Sequence, residues 1–271
     1  MPLLDEIRYT KLTELAHARF DHNLSVAERK VLRDSASSDD LPYPGEAAPR
    51  PEVRAEFLRW LATDPEAAPH IDPKGLRVYT ATIPGKLDLE ESKITRSLEF
   101  RRCTFQGEIN LESAETRGIY ILDSSLARGI DADGVIVHGS VFLRGTQSGG
   151  EIRLPRAEIA GNLECAGAKL NARGDALVVD RAKIGGSVFL HQAFQCEGEA
   201  RLIGSEIGGD LDCSGAKLNA KADALSAHRA QIGGKVFLNR GFESAGEFCL
   251  PGATIGGDLV IAGAKVARVS C

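Results

Sequence analysis

Apolar positions recur along the second half of the chain in one rhythm: apolar-x-apolar-x-x-small-x-apolar. Leu211, Cys213, Ala216 and Leu218 show it, as do Leu163, Cys165, Ala168 and Leu170. Alternation with period two predicts strands whose every second side chain points inward. The small residue marks a corner too tight for a large side chain. The phrase Ile-Gly-Gly returns at Ile184, Ile207, Ile232 and Ile255, with Ile159-Ala160-Gly161 one step earlier, in steps of 25, 23, 25 and 23 residues. Repetition at this period means a solenoid, a propeller or an array. Each glycine pair predicts another corner, where the backbone takes positive φ or approaches a neighbour closely.

Each repeat divides into two halves. The first holds Leu98/Phe100/Cys103/Phe105, Val188/Leu190/Ala193/Phe194 and their equivalents; the second holds Leu87/Leu89/Ser92/Ile94, Leu225/Ala227/Ala230/Ile232 and theirs. One coil is therefore four short strands and four corners, and about eight coils fit between Ile83 and Val266. Stacked about 4.8 Å apart, they make a rod about 35–40 Å long. The extra residues of the longer repeats fall at Asn171–Ala176, Gln195–Gly198, Asn219–Asp223 and Glu243–Gly246, which read as polar loops. Gly129–Gly134 departs from the template and reads as a loop or bulge.

The first 75 residues follow a different period. Leu4–Phe20 carries a helical stripe through Ile7, Leu12, Leu15 and Ala16. Ser25 with Glu28 is a capping box opening a helix to about Arg33, with Ala27, Val31 and Leu32 inward. Ser35–Pro51 reads as a loop, and Pro51 fits the first position of a third helix bearing Val53, Phe57, Trp60 and Leu61. The first coil of a solenoid exposes apolar surface and unpaired strand edges. Phe57, Trp60 and Leu61 are expected to cover it as a cap, the alternative being a partner-binding helix. The chain thus divides into a helical region and cap, 1–75, and a β-solenoid, 76–271.

Composition removes several function classes. Net charge is −5; residues 1–75 carry 14 acids and 10 bases, leaving 24 acids and 23 bases for the repeats. No clustered basic face points to nucleic acid. Cys103, Cys165, Cys196, Cys213, Cys249 and Cys271 contain no Cys-x-x-Cys pair. They read as buried thiols in a reducing compartment rather than zinc ligands. No basic start with an apolar run suggests a signal peptide, and no stretch of about 18 apolar residues suggests a membrane span. The default expectation is a cytoplasmic protein.

The small-x-apolar-x-x rhythm, as in Ser214-Gly-Ala-Lys-Leu218 and Pro251-Gly-Ala-Thr-Ile255, resembles that of pentapeptide-repeat proteins in a degenerate form. That resemblance implies a right-handed, four-sided β-helix. A bacterial group of similar solenoids opens with segments like Leu24–Arg29, Val53–Leu61, Lys74–Val78 and Ile83–Leu89. Its members often bear the label "membrane-associated oxidoreductase". The units here are not strictly five residues long.

The residues themselves give that label no support. A dinucleotide site needs Gly-x-Gly-x-x-Gly between strand and helix, whereas these glycine pairs recur in each late repeat. His138, His191 and His228 lie on different coils with no acid partner evident. Asp131, Asp133 and His138 are the nearest imitation of a hydrolytic cluster. No catalytic, cofactor-binding or metal-binding residue is assigned, and no cofactor is expected.

The leading expectation is a non-enzymatic protein-interaction scaffold or adaptor, an immunity or defence component being one form. The alternatives are a DNA mimic that inhibits a DNA-acting enzyme, which needs a row of acids, and an enzyme of unknown type. Alternation places Glu99, Tyr120, Phe142, Glu164, Phe189, Asp212, Phe237 and Val260 outward in one row, with Arg144, His191 and Asn239 two residues along. Outward aromatics at regular spacing mark Tyr120, Phe142, Phe189, Phe237, Arg144, His191 and Asn239 as partner-binding candidates. The alternative is that the polar inserts or the 35–51 loop fold over them. The last repeat, Ile255–Val266, matches the template fully. An uncovered end there predicts either a longer chain or a homodimer through the C-terminal coil.

Overall fold

The computed structural model describes residues 2–43, 45 and 50–270. Three helices, α1 (Pro2–Arg19), α2 (Val26–Ala36) and α3 (Ala55–Thr63), lead into a parallel β-solenoid. From Leu76 the chain winds through short strands, most of them two residues long. Each pairs with its equivalent one coil away. Four stacked rows make four faces. The first face has strands starting at Leu76, Leu98, Ile119, Val141, Leu163, Val188, Leu211, Val236 and Leu259. These number coils one to nine. The second and third faces are joined into one sheet by the long strand Glu243–Cys249, and the fourth runs from Glu115–Thr116 to Thr254–Ile255. No helix among the described residues is long and apolar enough to cross a membrane.

The sequence pattern predicts eight coils and there are nine. Coil one starts upstream of Ile83, where Leu76–Tyr79 pairs with Leu98–Arg101. Gly129–Gly134, moreover, is no bulge. Ile130 aligns with Ile109 and Ile152 without a break, and Ile130, Ala132, Val135 and Val137 are all buried. Asp131 and Asp133 are the outward members of an ordinary strand and corner. Leu211, Cys213, Ala216 and Leu218 point inward as the template requires, each with 0% exposure.

Coils five to eight alternate in length. Their first-face partners lie 25, 23, 25 and 23 residues apart, against 22 between Val141 and Leu163. The 25-residue coils carry their extra residues before the third face, with register breaks beside Asp175 and Asp223. The 23-residue coils carry theirs between the first and second faces, where Gln192, Ala193, Arg240 and Gly241 take left-handed φ. Gln195–Cys196 and the start of Glu243–Cys249, read as loop from sequence, are strands.

That one-residue insertion rotates a phenylalanine into the corner expected to be small. Down the corner run Ala168, Phe194, Ala216, Phe242 and Ala264. Phe194 and Phe242 are fully buried. The next inward position shrinks in exchange, as Leu170, Cys196, Leu218, Ser244 and Val266. Large and small trade places within each coil, which conserves the volume of the layer as close packing demands. Coils five and six thus form a 48-residue unit that coils seven and eight repeat, with more than half the positions identical.

Close approach, not positive φ, explains the Ile-Gly-Gly corner. Gly185, Gly208, Gly233 and Gly256 lie outside the left-handed region, and a Cβ on any of them would overlap a carbonyl oxygen of the coil before it.

The helices close the coil-one end of the core. The Ser25–Glu28 capping box forms: Glu28 N donates to Ser25 Oγ at 3.1 Å and Ser25 N to Glu28 Oε2 at 2.9 Å. α2 runs past Arg33 to Ala36, so Ser35 is helical, and its Oγ accepts from Arg77 N on the edge strand at 3.1 Å. Pro51 does not open α3. Val53 N donates to Thr82 O and Thr82 N to Pro51 O, both at 2.9 Å, so the extended 51–53 segment pairs with the edge of coil one. α3 begins beyond it at Ala55 and packs on Leu87–Asp88. Phe57 and Trp60 meet Phe20 of the α1–α2 connection at 5.8 and 5.6 Å between ring centroids. At the other end, Lys265–Ser270 is paired with Glu243–Cys249, and Ile261 and Val269 are 43% and 36% exposed.

Candidate functional site

The stacking fixes the outward row of the first face residue by residue. Arg77, Glu99, Tyr120, Phe142, Glu164, Phe189, Asp212, Phe237 and Val260 are consecutive register partners. From Glu99 to Val260 every member is half-buried. Tyr120 and Phe142 stack at 5.2 Å with an 11° interplanar angle. Phe189 lies 5.2 Å from the ring of His191, which belongs to the neighbouring row with Arg144 and Asn239. The structure thus brings all seven candidate residues onto one face.

Part of the row is covered. Arg77 is buried at its head, donating to Asp39 O at 2.8 Å and to Ser37 O. Tyr43 hydrogen-bonds Asp123, and Arg101 lies over the Tyr43 and Tyr79 rings at 5.3 and 5.0 Å. Burial, then the Asp123 carboxylate, pushes the Tyr43 hydroxyl up to about 12. The segment 37–43 therefore overlies coils one to three, beside a cleft of about 590 Å3 lined by Asp40, Arg77, Glu99 and Tyr120. Residues 44 and 46–49 of the 35–51 loop lie outside the described residues.

His191 does have acid partners, contrary to the sequence reading. Its Nε2 is 3.3 Å from Glu164 Oε1 and its Nδ1 3.5 Å from Asp212 Oδ2. The two carboxylates come from the coils on either side, 27 residues before and 21 after. Glu164 also accepts from Ala166 N at 3.1 Å and Asp212 from Ser214 N at 2.8 Å, so both are held by the backbone. His138 likewise has a partner, Glu115 at 2.9 Å.

The hydrolytic imitation does not assemble. Asp131 lies 3.6 Å from Arg153, Asp133 2.7 Å from Arg156, and His138 follows a fourth-face strand. The five described cysteines are free and buried; Cys271 lies outside the described residues. Burial pushes the Cys103 and Cys196 thiols up to about 12 and those of Cys165 and Cys213 higher, which opposes thiolate chemistry.

The third face carries a feature that strand-by-strand reading missed. Glu151, just before its strand, and Asp175, Glu199, Asp223 and Glu247, within theirs, form a row along coils four to eight. Burial, with the charges of Asp175 and Asp223, raises the Glu199 carboxyl. Arg153 and Arg201 partly neutralise the row, reaching Glu151 at 3.3 Å and Asp175 at 3.2 Å. Asp223, Glu247 and Cys249 place ligand atoms within 4.8 Å of one another, the one such group among the described residues that could hold an ion. Their sequence separation hides them from a search for adjacent Cys and His.

The fold and this face define the chain as a parallel β-solenoid with an ordered aromatic and acidic stripe. No family model, no curated protein and no solved structure matches it.

Proposed function

We propose that the protein is a non-catalytic scaffold, an adaptor whose protein partner docks on the first face. The observation that carries this reading is the alternation Phe142–Glu164–Phe189–Asp212–Phe237, outward and half-buried on five successive coils beyond the reach of segment 37–43. Strand faces in water rarely hold rings at such regular spacing, and ordered apolar stripes rimmed by polar groups serve as contact surfaces. The finer resemblance to right-handed pentapeptide-type helices agrees with the four faces and with an adaptor role. The test is Phe189→Ser combined with Phe237→Ser. The variant is expected to keep its circular dichroism and melting behaviour and to lose a partner that affinity purification recovers with the native protein. Unfolding of the variant, or unchanged recovery, would overturn the reading.

The stacked third-face carboxylates favour DNA mimicry as a second reading. Arg153 and Arg201 interrupt the row, so it offers less continuous negative charge than a phosphate backbone does. Inhibition of a DNA-acting enzyme that disappears on Glu199→Gln with Asp223→Asn would promote it above the first.

A further inference from the structure

We infer that the segment docking on the first face is cationic and helical, an inference that rests on the reading of that face as the docking surface and adds its chemistry. Glu164 and Asp212 stand between the rings of Phe142, Phe189 and Phe237. Their side chains are only 12% and 20% exposed, and His191 is the sole ion-pair partner of either among the described residues. A neutral imidazole has one N–H, so it donates to one of these carboxylates and leaves the other with only its local donors, Ala166 N on Glu164 or Ser214 N and Oγ on Asp212, which occupy one oxygen of each. Asn239 Oδ1, beside Phe237, is enclosed with no donor. The stripe therefore has a surplus of partly desolvated acceptors, with aromatic rings next to each. A lysine or arginine supplies what is missing on both counts, donors to the carboxylates and a cation near the ring faces.

Spacing selects the helix. Glu164 and Asp212 are two coils apart, about 9.5 Å. Residues seven apart on a helix are about 10.5 Å apart on one face, with the residue between them about 5 Å along. Two basic residues at i and i+7 thus meet Glu164 and Asp212, while an apolar residue at i+3 or i+4 meets Phe189. An extended strand repeats its same-face side chains at about 6.7 Å and falls out of step.

The experiment titrates the full chain with three helical peptides of alanine background carrying leucine at i+4. They differ only in having Lys, Gln or Glu at i and i+7, and binding is read by fluorescence anisotropy. The Lys peptide is expected to bind and the Glu peptide not to bind. Raising salt is expected to weaken the Lys complex, and Glu164→Gln with Asp212→Asn to weaken it about tenfold. The amide oxygens of that variant still accept from Ala166 and Ser214, and its melting curve checks the fold. Equal binding of the Gln peptide, or no effect of the double variant, overturns the cationic partner. The docking reading survives that result if Phe189→Ser with Phe237→Ser still abolishes binding. Lys-peptide binding indifferent to the phenylalanines is general polycation attraction and overturns both. No binding of any peptide overturns this inference and leaves the docking reading to its own test.

Discussion

At coil one the strand edge that would otherwise be bare meets the extended residues 51–53, while α2 and α3 pack on the first and third faces. At coil nine no described residue does the same for Lys265–Ser270, and Ile261 and Val269 reach solvent. Both ends present the same layer of inward side chains. The difference is what covers it: a cap combines a hydrogen-bonded edge with an apolar lid, and among the described residues coil one has both and coil nine neither. Edge pairing alone would leave the core wet, and a lid alone would leave donors and acceptors free to pair with another chain.

Removing the cap should give the largest effect. Deletion of residues 1–75 is expected to abolish the soluble monomer by light scattering, whereas deletion of residues 259–271 only moves the open end back one coil and leaves a folded protein. A soluble, monomeric cap deletion would erase the contrast. Single residues sharpen it. Phe57→Ala, fully buried within the cap helix α3, should cost about 3–5 kcal/mol in urea unfolding, and Leu211→Ala in mid-rod about 2–5 kcal/mol. Ile261→Ala at the open end should cost less than about 1 kcal/mol. Similar losses at Phe57 and Ile261 would mean that coil nine is covered in solution.

The cap also has an acid-sensitive tie. Glu28 is 1% exposed and pairs with Arg54 Nε at 2.6 Å. Burial opposes its charge, but hydrogen bonds from Arg54 and from Ser25 N, with the Arg54 charge, outweigh that and hold the carboxyl below its ordinary value. A lowered folded-state value means stability present above the ordinary carboxylate range and lost as pH falls through the folded one. Between about pH 5 and pH 3, hydrogen exchange should quicken in α2 before it changes in coils five to eight. Glu199 has the opposite sign. Its raised carboxyl contributes at low pH and loses that contribution as pH rises through the folded value. The smallest energetic effect belongs to Val269→Lys, within about 0.5 kcal/mol. Its readout is association: light scattering should show concentrated native protein dimerising through coil nine and the variant remaining monomeric.

Much of this architecture was legible because the inward positions are local. Period two and the small corner residue define which of Leu211, Cys213, Ala216 and Leu218 face the core, with no knowledge of neighbouring coils. The same rule misses the second half of coil three, since two aspartates flank the small inward Ala132 and disguise it. It also fails at Phe194 and Phe242, where a large corner residue is tolerated only because Cys196 and Ser244 shrink beside it. The site was half legible for the same reason. The aromatic row follows from alternation, but the Glu164–His191–Asp212 contact and the third-face carboxylates join residues more than 20 positions apart. Only the register of stacked coils brings them together.

The exchange of Ala and Leu for Phe and Cys has a consequence for how such a rod can change length. One coil is not an interchangeable part. Excising coil six would set Ala168 on Ala216 and Leu170 on Leu218, leaving a hollow at one corner and crowding at the next. The portable module is the pair, 48 residues and about 9.5 Å of rod. Each pair brings one outward ring and one outward carboxylate, Glu164 with Phe189 and Asp212 with Phe237. Growth or loss by whole pairs would lengthen or shorten the stripe while preserving its spelling, so the reach of this surface is counted in twos.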